Sequence, residues 1–203
     1  MPIAVSSVHN DQLRRLLRQQ RAAVPPRRRQ MAARRAWQHL RHWPALRRAK
    51  NIACYLAMPG EFPTDEIING VLRQGKRVYV PVVDAGNVGT MVFQRYRPQS
   101  PMKRNLFGIQ EPVVNRRQRI SPEKLDLVIL PLLGFDRCGT RIGMGGGYYD
   151  RAFTFRLNDW RMKKPKLLGL AYDVQHCDQL ERQPWDVPLD AILTESGLSF
   201  PKR

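Results

Sequence analysis

Leu125-Asp126-Leu127-Val128-Ile129-Leu130, closed by Pro131, is the stretch that decides the fold. It is short and almost wholly apolar. A strand with one buried face alternates apolar and polar residues, whereas a continuous apolar run suits a sheet covered on both faces. Outward from it lie further strand candidates: Asn51–Ala57 (NIACYLA), Arg77–Val83 (RVYVPVV), Met91–Tyr96, Lys166–Tyr172 and Ala191–Thr194. Helical periodicity lies before and among them. Over residues 11–24, Leu13, Leu16, Leu17, Gln20 and Val24 form one mostly apolar stripe. Pro25-Pro26 interrupts it, and Pro26 is placed to open a second helix. That helix carries Ala33, Ala36, Trp37, Leu40 and Trp43 on one side, with Pro44 as its limit and arginines on the opposite faces of both helices. Thr64 is placed to cap another helix, with Asp65 and Glu66 in its first turn, Ile67, Ile68, Val71 and Leu72 on its apolar face and Gly75 at its end. Strands alternating with helices predict an α/β chain: a three-layer α/β/α sandwich with a mainly parallel, Rossmann-like open sheet and basic N-terminal helices. Residues 1–203 are read as a single domain, with residues 1–10 left open between order and disorder. Residues 97–123 form a long polar, Pro-rich connection, a length uncommon unless functional.

Composition excludes several classes. At 42% hydrophobic and 8% aromatic, the chain is neither disordered nor fibrous. No apolar run approaches the roughly 18 residues of a membrane span, and the start, MPIAVSSVHNDQ, lacks a secretory pattern. Three dispersed cysteines, Cys54, Cys138 and Cys177, without a CxxC pair suggest a reducing, cytoplasmic setting. Charge is uneven. The net value is +18, and residues 1–50 hold thirteen Lys and Arg against one acid, Asp11. Such a chain attracts anions, whether phosphates, polycarboxylates, nucleic acid or acidic lipid.

Chemistry concentrates at Arg141–Asp150 (RIGMGGGYYD). Gly143, Gly145, Gly146 and Gly147 can expose successive backbone N–H groups to an anion, and a helix starting at YYDRAFTF would add its positive dipole end. This is not a Walker A loop, since no Gly-Lys-Ser/Thr follows, and Tyr148 breaks the GxGxxG pattern. Arg141, a glycine loop and Asp150 together can neutralise phosphate and hold Mg2+.

GMGGGYYDR, preceded by LGFDRCGTR, resembles the signature of the 5-formyltetrahydrofolate cyclo-ligase (methenyltetrahydrofolate synthetase) family. Other matches follow in the family's order: Leu13-Arg14, Tyr55-Leu56-Ala57-Met58 with Glu61, Gly75-Lys76-Arg77 with Pro81, Gly108–Pro112, and Asp186-Val187-Pro188-Leu189-Asp190. The resemblance implies an α/β/α ligase that uses ATP as co-substrate and Mg2+ to convert 5-formyltetrahydrofolate into 5,10-methenyltetrahydrofolate, releasing ADP and phosphate. An N-formyl carbon is a poor electrophile because of amide resonance. Phosphorylating its oxygen creates a leaving group, and N10 closes the ring.

The resemblance also distributes roles. Arg141, Tyr148 and Asp150 are the catalytic group. Asn10, Arg14 and the loop Arg141, Ile142, Gly143, Met144, Gly145, Gly146, Gly147, Tyr148 and Tyr149 would hold ATP. The family often has lysine at the place of Asn10, and Arg15 or Arg18 stand near enough to substitute. Leu56, Glu61 and Phe107, with Met144, Gly145, Gly146, Gly147 and Tyr148, would hold the folate; Phe107 stands where many members have tryptophan. Asp150 and Asp190 would bind Mg2+. On residues alone, Glu61 reads as a surface loop acid beside Pro59-Gly60, Asp190 as a strand-edge turn, and either tyrosine as a core aromatic. His39 and His42, one turn apart, have no third ligand in view.

The expected partner is a small anionic folate, with or without a polyglutamate tail, bound to a monomer away from any membrane. A rival reading places the arginine helices on nucleic acid, but Trp37 and Trp43 fall on the apolar stripe rather than among the arginines, so that binding is secondary. A kinase-like or other nucleotide-binding α/β enzyme is the third reading.

Overall fold

A computed structural model describes residues 10–83, 89–105, 110–158 and 164–201. Two proline-punctuated helices come first, α1 (Asn10–Ala22) and α2 (Pro26–Leu40), then the short α3 (Pro44–Arg48). Pro26 and Pro44 occupy first-turn positions, where a missing N–H costs no hydrogen bond. The strands and helices that follow are β1 (Asn51–Cys54), α4 (Asp65–Arg73), β2 (Arg77–Val83), β3 (Met91–Tyr96), β4 (Met102–Arg104), β5 (Gln110–Pro112), β6 (Arg119–Ile120), β7 (Leu127–Pro131), β8 (Gly134–Phe135), β9 (Arg141–Ile142), α5 (Tyr148–Phe153), α6 (Phe155–Asn158), β10 (Lys166–Leu170), β11 (Ala191–Thr194) and β12 (Gly197–Ser199).

Eight strands form one sheet in the order β12-β11-β10-β7-β1-β2-β3-β6. The five from β11 to β2 are parallel, while β12 and β3 run against them at the flanks and β6 pairs antiparallel with β3. β7 sits in the middle and is buried on both faces, as its apolar run predicts. Leu127 and Ile129 join the core under α2 and α4, with Ala36, Leu40, Ile67 and Val71. Val128 and Leu130 point the other way, against Phe93, Phe153, Val187 and Leu189. The mainly parallel three-layer architecture therefore stands.

The strand order places the cleft. β1 continues through α4 to β2 on one flank, whereas β7 lies on the other flank of β1 and leads on to β10. The chain thus leaves the ends of β1 and β7 in opposite directions. A crevice opens there, the position where open α/β sheets bind ligands.

Three local expectations change. Leu16 is exposed and Arg21 is buried in its stead, because Leu13, Leu17 and Arg21 repeat at a strict four-residue spacing. Leu13 and Leu17 pack on Leu133, Ile142 and Cys177, which seats α1 over the chain that leaves β7. Thr64 precedes α4 without capping it; its hydroxyl donates to the Tyr55 carbonyl at 2.9 Å and ties the helix start to the end of β1. The 97–123 connection is partly ordered, as the β4–β5 hairpin and the edge strand β6. Gly75 closes α4 as expected, at φ +69°.

Gly70 tests the packing of α4 on α2. A Cβ there would lie 2.3–2.6 Å from Trp37 ring carbons. Alanine gains about 1 kcal/mol of helix propensity over glycine, but overpacking against the half-buried Trp37 indole costs about 1–3 kcal/mol. Gly70→Ala is expected to lower the urea midpoint at unchanged m-value. A raised midpoint would mean that Trp37 swings aside freely.

Candidate active site

Glu61 belongs to the loop that follows β1. Gly60 turns that loop at φ +89°, and the segment closes on itself: Glu61 N–H donates to the Met58 carbonyl at 2.9 Å, and Met58 N–H donates to Glu61 Oε2 at 3.0 Å. The side chain is only 11% exposed, so Glu61 is not a surface loop acid. Its other oxygen faces Arg21 Nη1 at 3.6 Å, and the same guanidinium donates to the Leu132 carbonyl at 3.3 Å, just beyond β7. Beside it, Tyr55 donates to the Phe62 carbonyl at 3.0 Å. Burial, then the negative charge of Glu61, pushes the Tyr55 phenol pKa well above its ordinary value, so it stays a neutral donor.

Glu61 shares a cavity of about 180 Å³ with Tyr55, Leu56, Glu111, Tyr148 and Tyr149. Glu111 comes from β5, is buried, and accepts from Asn105 at 3.1 Å. Sequence reasoning placed Glu111 within a motif but gave it no role. Tyr148 and Tyr149 both face this cavity; Tyr149 also stacks on Phe153, with ring centroids 6.5 Å apart, and burial pushes its phenol pKa up. Neither tyrosine is solely a core aromatic. A larger hollow of about 610 Å³, lined by Phe135, Asp136, His176 and β12, holds none of the expected site residues.

The glycine loop leaves β9 next to this cavity. Gly145 (φ +98°) and Gly147 (φ +63°) take backbone angles that L-residues disfavour. The Arg14 guanidinium packs over Gly145, and Arg18 reaches Met144 Sδ at 3.9 Å, so α1 roofs the loop with positive charge. Arg14 also pairs with Asp11 at 2.7 Å. The helix after the loop is shorter than expected: α5 has six residues, too few for a useful macrodipole, so anion attraction there rests on arginines and backbone N–H groups. Asn10 opens α1, but its side chain lies outside the described residues, as do Phe107, Gly108 and Ile109.

Two aspartates receive different treatment. Arg141 turns inward, pairing with Asp150 Oδ1 at 2.6 Å and donating to the Val187 carbonyl. The Val187 N–H reaches the same oxygen at 3.1 Å, so Asp150 Oδ2 takes no part in either contact. Asp190 spends both oxygens: Oδ2 accepts from Arg156 at 2.5 Å and from Leu167 N–H at 2.8 Å, and Oδ1 accepts from Arg156 at 3.3 Å and from Lys166 at 3.1 Å. It precedes β11 beside Leu167, at the edge where the parallel strands begin, whereas the cleft opens where they end. Asp190, which the resemblance assigns to Mg2+ beside Asp150, thus has both carboxylate oxygens engaged by protein groups. Among the described residues no group of three His, Cys, Asp or Glu could hold a metal, and no helix is long and apolar enough to cross a membrane.

Fold and site together define an open α/β/α enzyme in which a crevice brings a glycine-rich loop alongside a carboxylate-lined cavity. A model of the 5-formyltetrahydrofolate cyclo-ligase family matches residues 6–195. The Haemophilus influenzae 5-formyltetrahydrofolate cyclo-ligase is 39% identical, covering 90% of this chain and 95% of its own, and the Escherichia coli K12 protein of that name is 36% identical, covering 89% and 97%. Among solved structures, Aquifex aeolicus 5,10-methenyltetrahydrofolate synthetase superposes with a TM-score of 0.78 at 28% identity, over 96% of this chain and 93% of that one. The chain belongs to the 5-formyltetrahydrofolate cyclo-ligase family.

The Asp190 pairing carries a pH signature. Burial alone would raise its pKa, but the hydrogen bonds from Arg156 and Leu167 N–H and the charges of Arg156 and Lys166 hold it below the ordinary 3.8. A depressed folded pKa gives stability that is fully present above the unfolded value and lost as pH falls through the folded one. Asp190→Asn is expected to cost about 2–4 kcal/mol at pH 7, with the gap to wild type narrowing below pH 3.8 in denaturation curves. A gap that is constant with pH would remove the ionic role.

Proposed function

We propose that this enzyme converts 5-formyltetrahydrofolate and ATP into 5,10-methenyltetrahydrofolate, ADP and phosphate, with Mg2+, as a monomer in a reducing, cytoplasmic compartment. The observation that carries the reading is the shared cavity: Glu61, from the loop after β1, and Tyr148, which opens α5 after the glycine loop, can touch one ligand. Family membership and the relatives' names support the same substrate.

Glu61 is suited to accept hydrogen bonds from the pterin's amino and ring N–H groups, with Leu56 against the ring. Arg21 fixes the direction of that carboxylate. The glycine loop accommodates the triphosphate through its backbone N–H groups, and Arg14 and Arg18 balance its charge. The formyl oxygen then attacks the terminal phosphorus and the bond to ADP breaks. N10 attacks the activated carbon and loses its proton as phosphate departs. The protein's work is to bring three reacting groups into line in the crevice.

A divalent ion that arrives with a nucleotide takes one or two carboxylates plus phosphate oxygens. Asp150 fits that need, since its engaged contacts fall on one oxygen. Bound there, Mg2+ supplies neutralisation of phosphate charge. The exposed arginines of α1, α2 and α3 extend a positive field toward two anionic substrates, one of which can carry a polyglutamate tail. Nucleic-acid contact stays secondary, because Trp37 and Trp43 pack against the core instead of standing among those arginines.

Purified protein with 5-formyltetrahydrofolate, ATP and Mg2+ is expected to develop the methenyl absorbance band, and to develop none without ATP. A folded protein that yields no band with all three would refute the reading. Asp150→Asn should lower turnover on the order of 100-fold while the folate KM changes little. Glu61→Gln should do the reverse, raising the folate KM about tenfold through loss of a charged hydrogen bond.

A further inference from the structure

The cations around the glycine loop are not equivalent. Arg14 is paired with Asp11, and Arg141 with Asp150. Arg151 makes no ion pair among the described residues. Its guanidinium donates through Nη2 to the Gly146 carbonyl and through Nε to the Gly89 carbonyl, both at 2.6 Å, and lies over the Tyr148 ring, 5.2 Å from its centroid. Gly89 lies between β2 and β3, whose residues Val83 and Met91 line the cavity. One planar side chain therefore bridges the glycine loop to the opposite wall.

The bridge sets a peptide's direction. In a planar trans peptide the carbonyl and the next N–H point opposite ways. Holding the Gly146 carbonyl on Arg151 turns the Gly147 N–H away from the guanidinium. The contact also explains a glycine: a Cβ on Gly147 would stand 2.8 Å from Arg151 Nη1.

We propose that Arg151 is a positioning residue for the nucleotide, orienting the Gly146–Gly147 peptide and placing a positive charge beside the loop. This rests on the functional reading above, and it adds a residue outside the loop and a direction for one of its donors. The bridge favours a fork: the two carbonyls are met by different nitrogens, Nε and Nη2, of one rigid planar guanidinium, a geometry that the single nitrogen of an ammonium does not reproduce.

Full-length wild type, Arg151→Ala and Arg151→Lys are compared in three measurements: KM for ATP and for the folate, calorimetric affinity for a non-hydrolysable ATP analogue with Mg2+, and thermal midpoint. Arg151→Ala is expected to raise the ATP KM and weaken analogue binding about tenfold or more, with the folate KM within about twofold. Arg151→Lys should recover less than half of the loss, and added guanidinium ion should restore part of it in Arg151→Ala. Equal losses for both substrates with a lowered midpoint, or an unchanged nucleotide affinity, would overturn the inference. Should Arg151→Ala not fold, Arg151→Lys and Arg151→Gln decide by the same readouts. If wild type forms no methenyl product, the functional reading fails on its own, and the analogue titrations still judge Arg151.

Discussion

One buried guanidinium holds the site together. Arg21 reaches from α1 to the Leu132 carbonyl beyond β7 and to Glu61 in the loop after β1. Those three segments build the crevice and are far apart in sequence. A buried cation is costly unless its donors are satisfied, and the Arg21 Nε has no partner among the described residues. The arrangement persists because Leu13 and Leu17 seat α1 on Leu133 and Ile142, so apolar burial holds the charge where it is. The ion pair fixes direction and the leucines supply the stability.

The sheet was legible because its signals are local. A strand buried on both faces needs apolar residues at successive positions, and Leu127–Leu130 has them. Prolines mark helix starts by chemistry that needs no tertiary context. The glycine loop was legible for the same reason, since positive φ at Gly145 and Gly147 is a backbone demand that only composition can meet. The cleft was less so. Its place follows from the strand order, and whether β7 lies beside β1 or beyond β3 is a long-range pairing that no periodicity states.

Charged residues were the hardest to place, for an electrostatic reason. An arginine on an amphipathic helix is ordinarily solvated, so Arg21 looked like its neighbours. The clue was its spacing from Leu13 and Leu17, which outranks residue type once the leucines are buried. The absent cap at Thr64 has a similar origin: a hydroxyl next to a strand end found a carbonyl on Tyr55 and served the tertiary structure instead of the helix.

The two aspartates show how a common pairing yields different chemistry. Each is held by an arginine, Arg141 for Asp150 and Arg156 for Asp190. Asp190 is nearly sealed and gives both oxygens to two cations and a backbone N–H, so releasing it would deprive the Arg156 guanidinium, Lys166 and the Leu167 N–H of this acceptor. Asp150 is more open, at 23% exposure, and concentrates its partners on Oδ1. A carboxylate that is both anchored and half available can recruit a cation without losing its own position. That combination is set by geometry around the side chain, which is why two aspartates that the resemblance assigns to one ion differ in their availability only when the chain is folded.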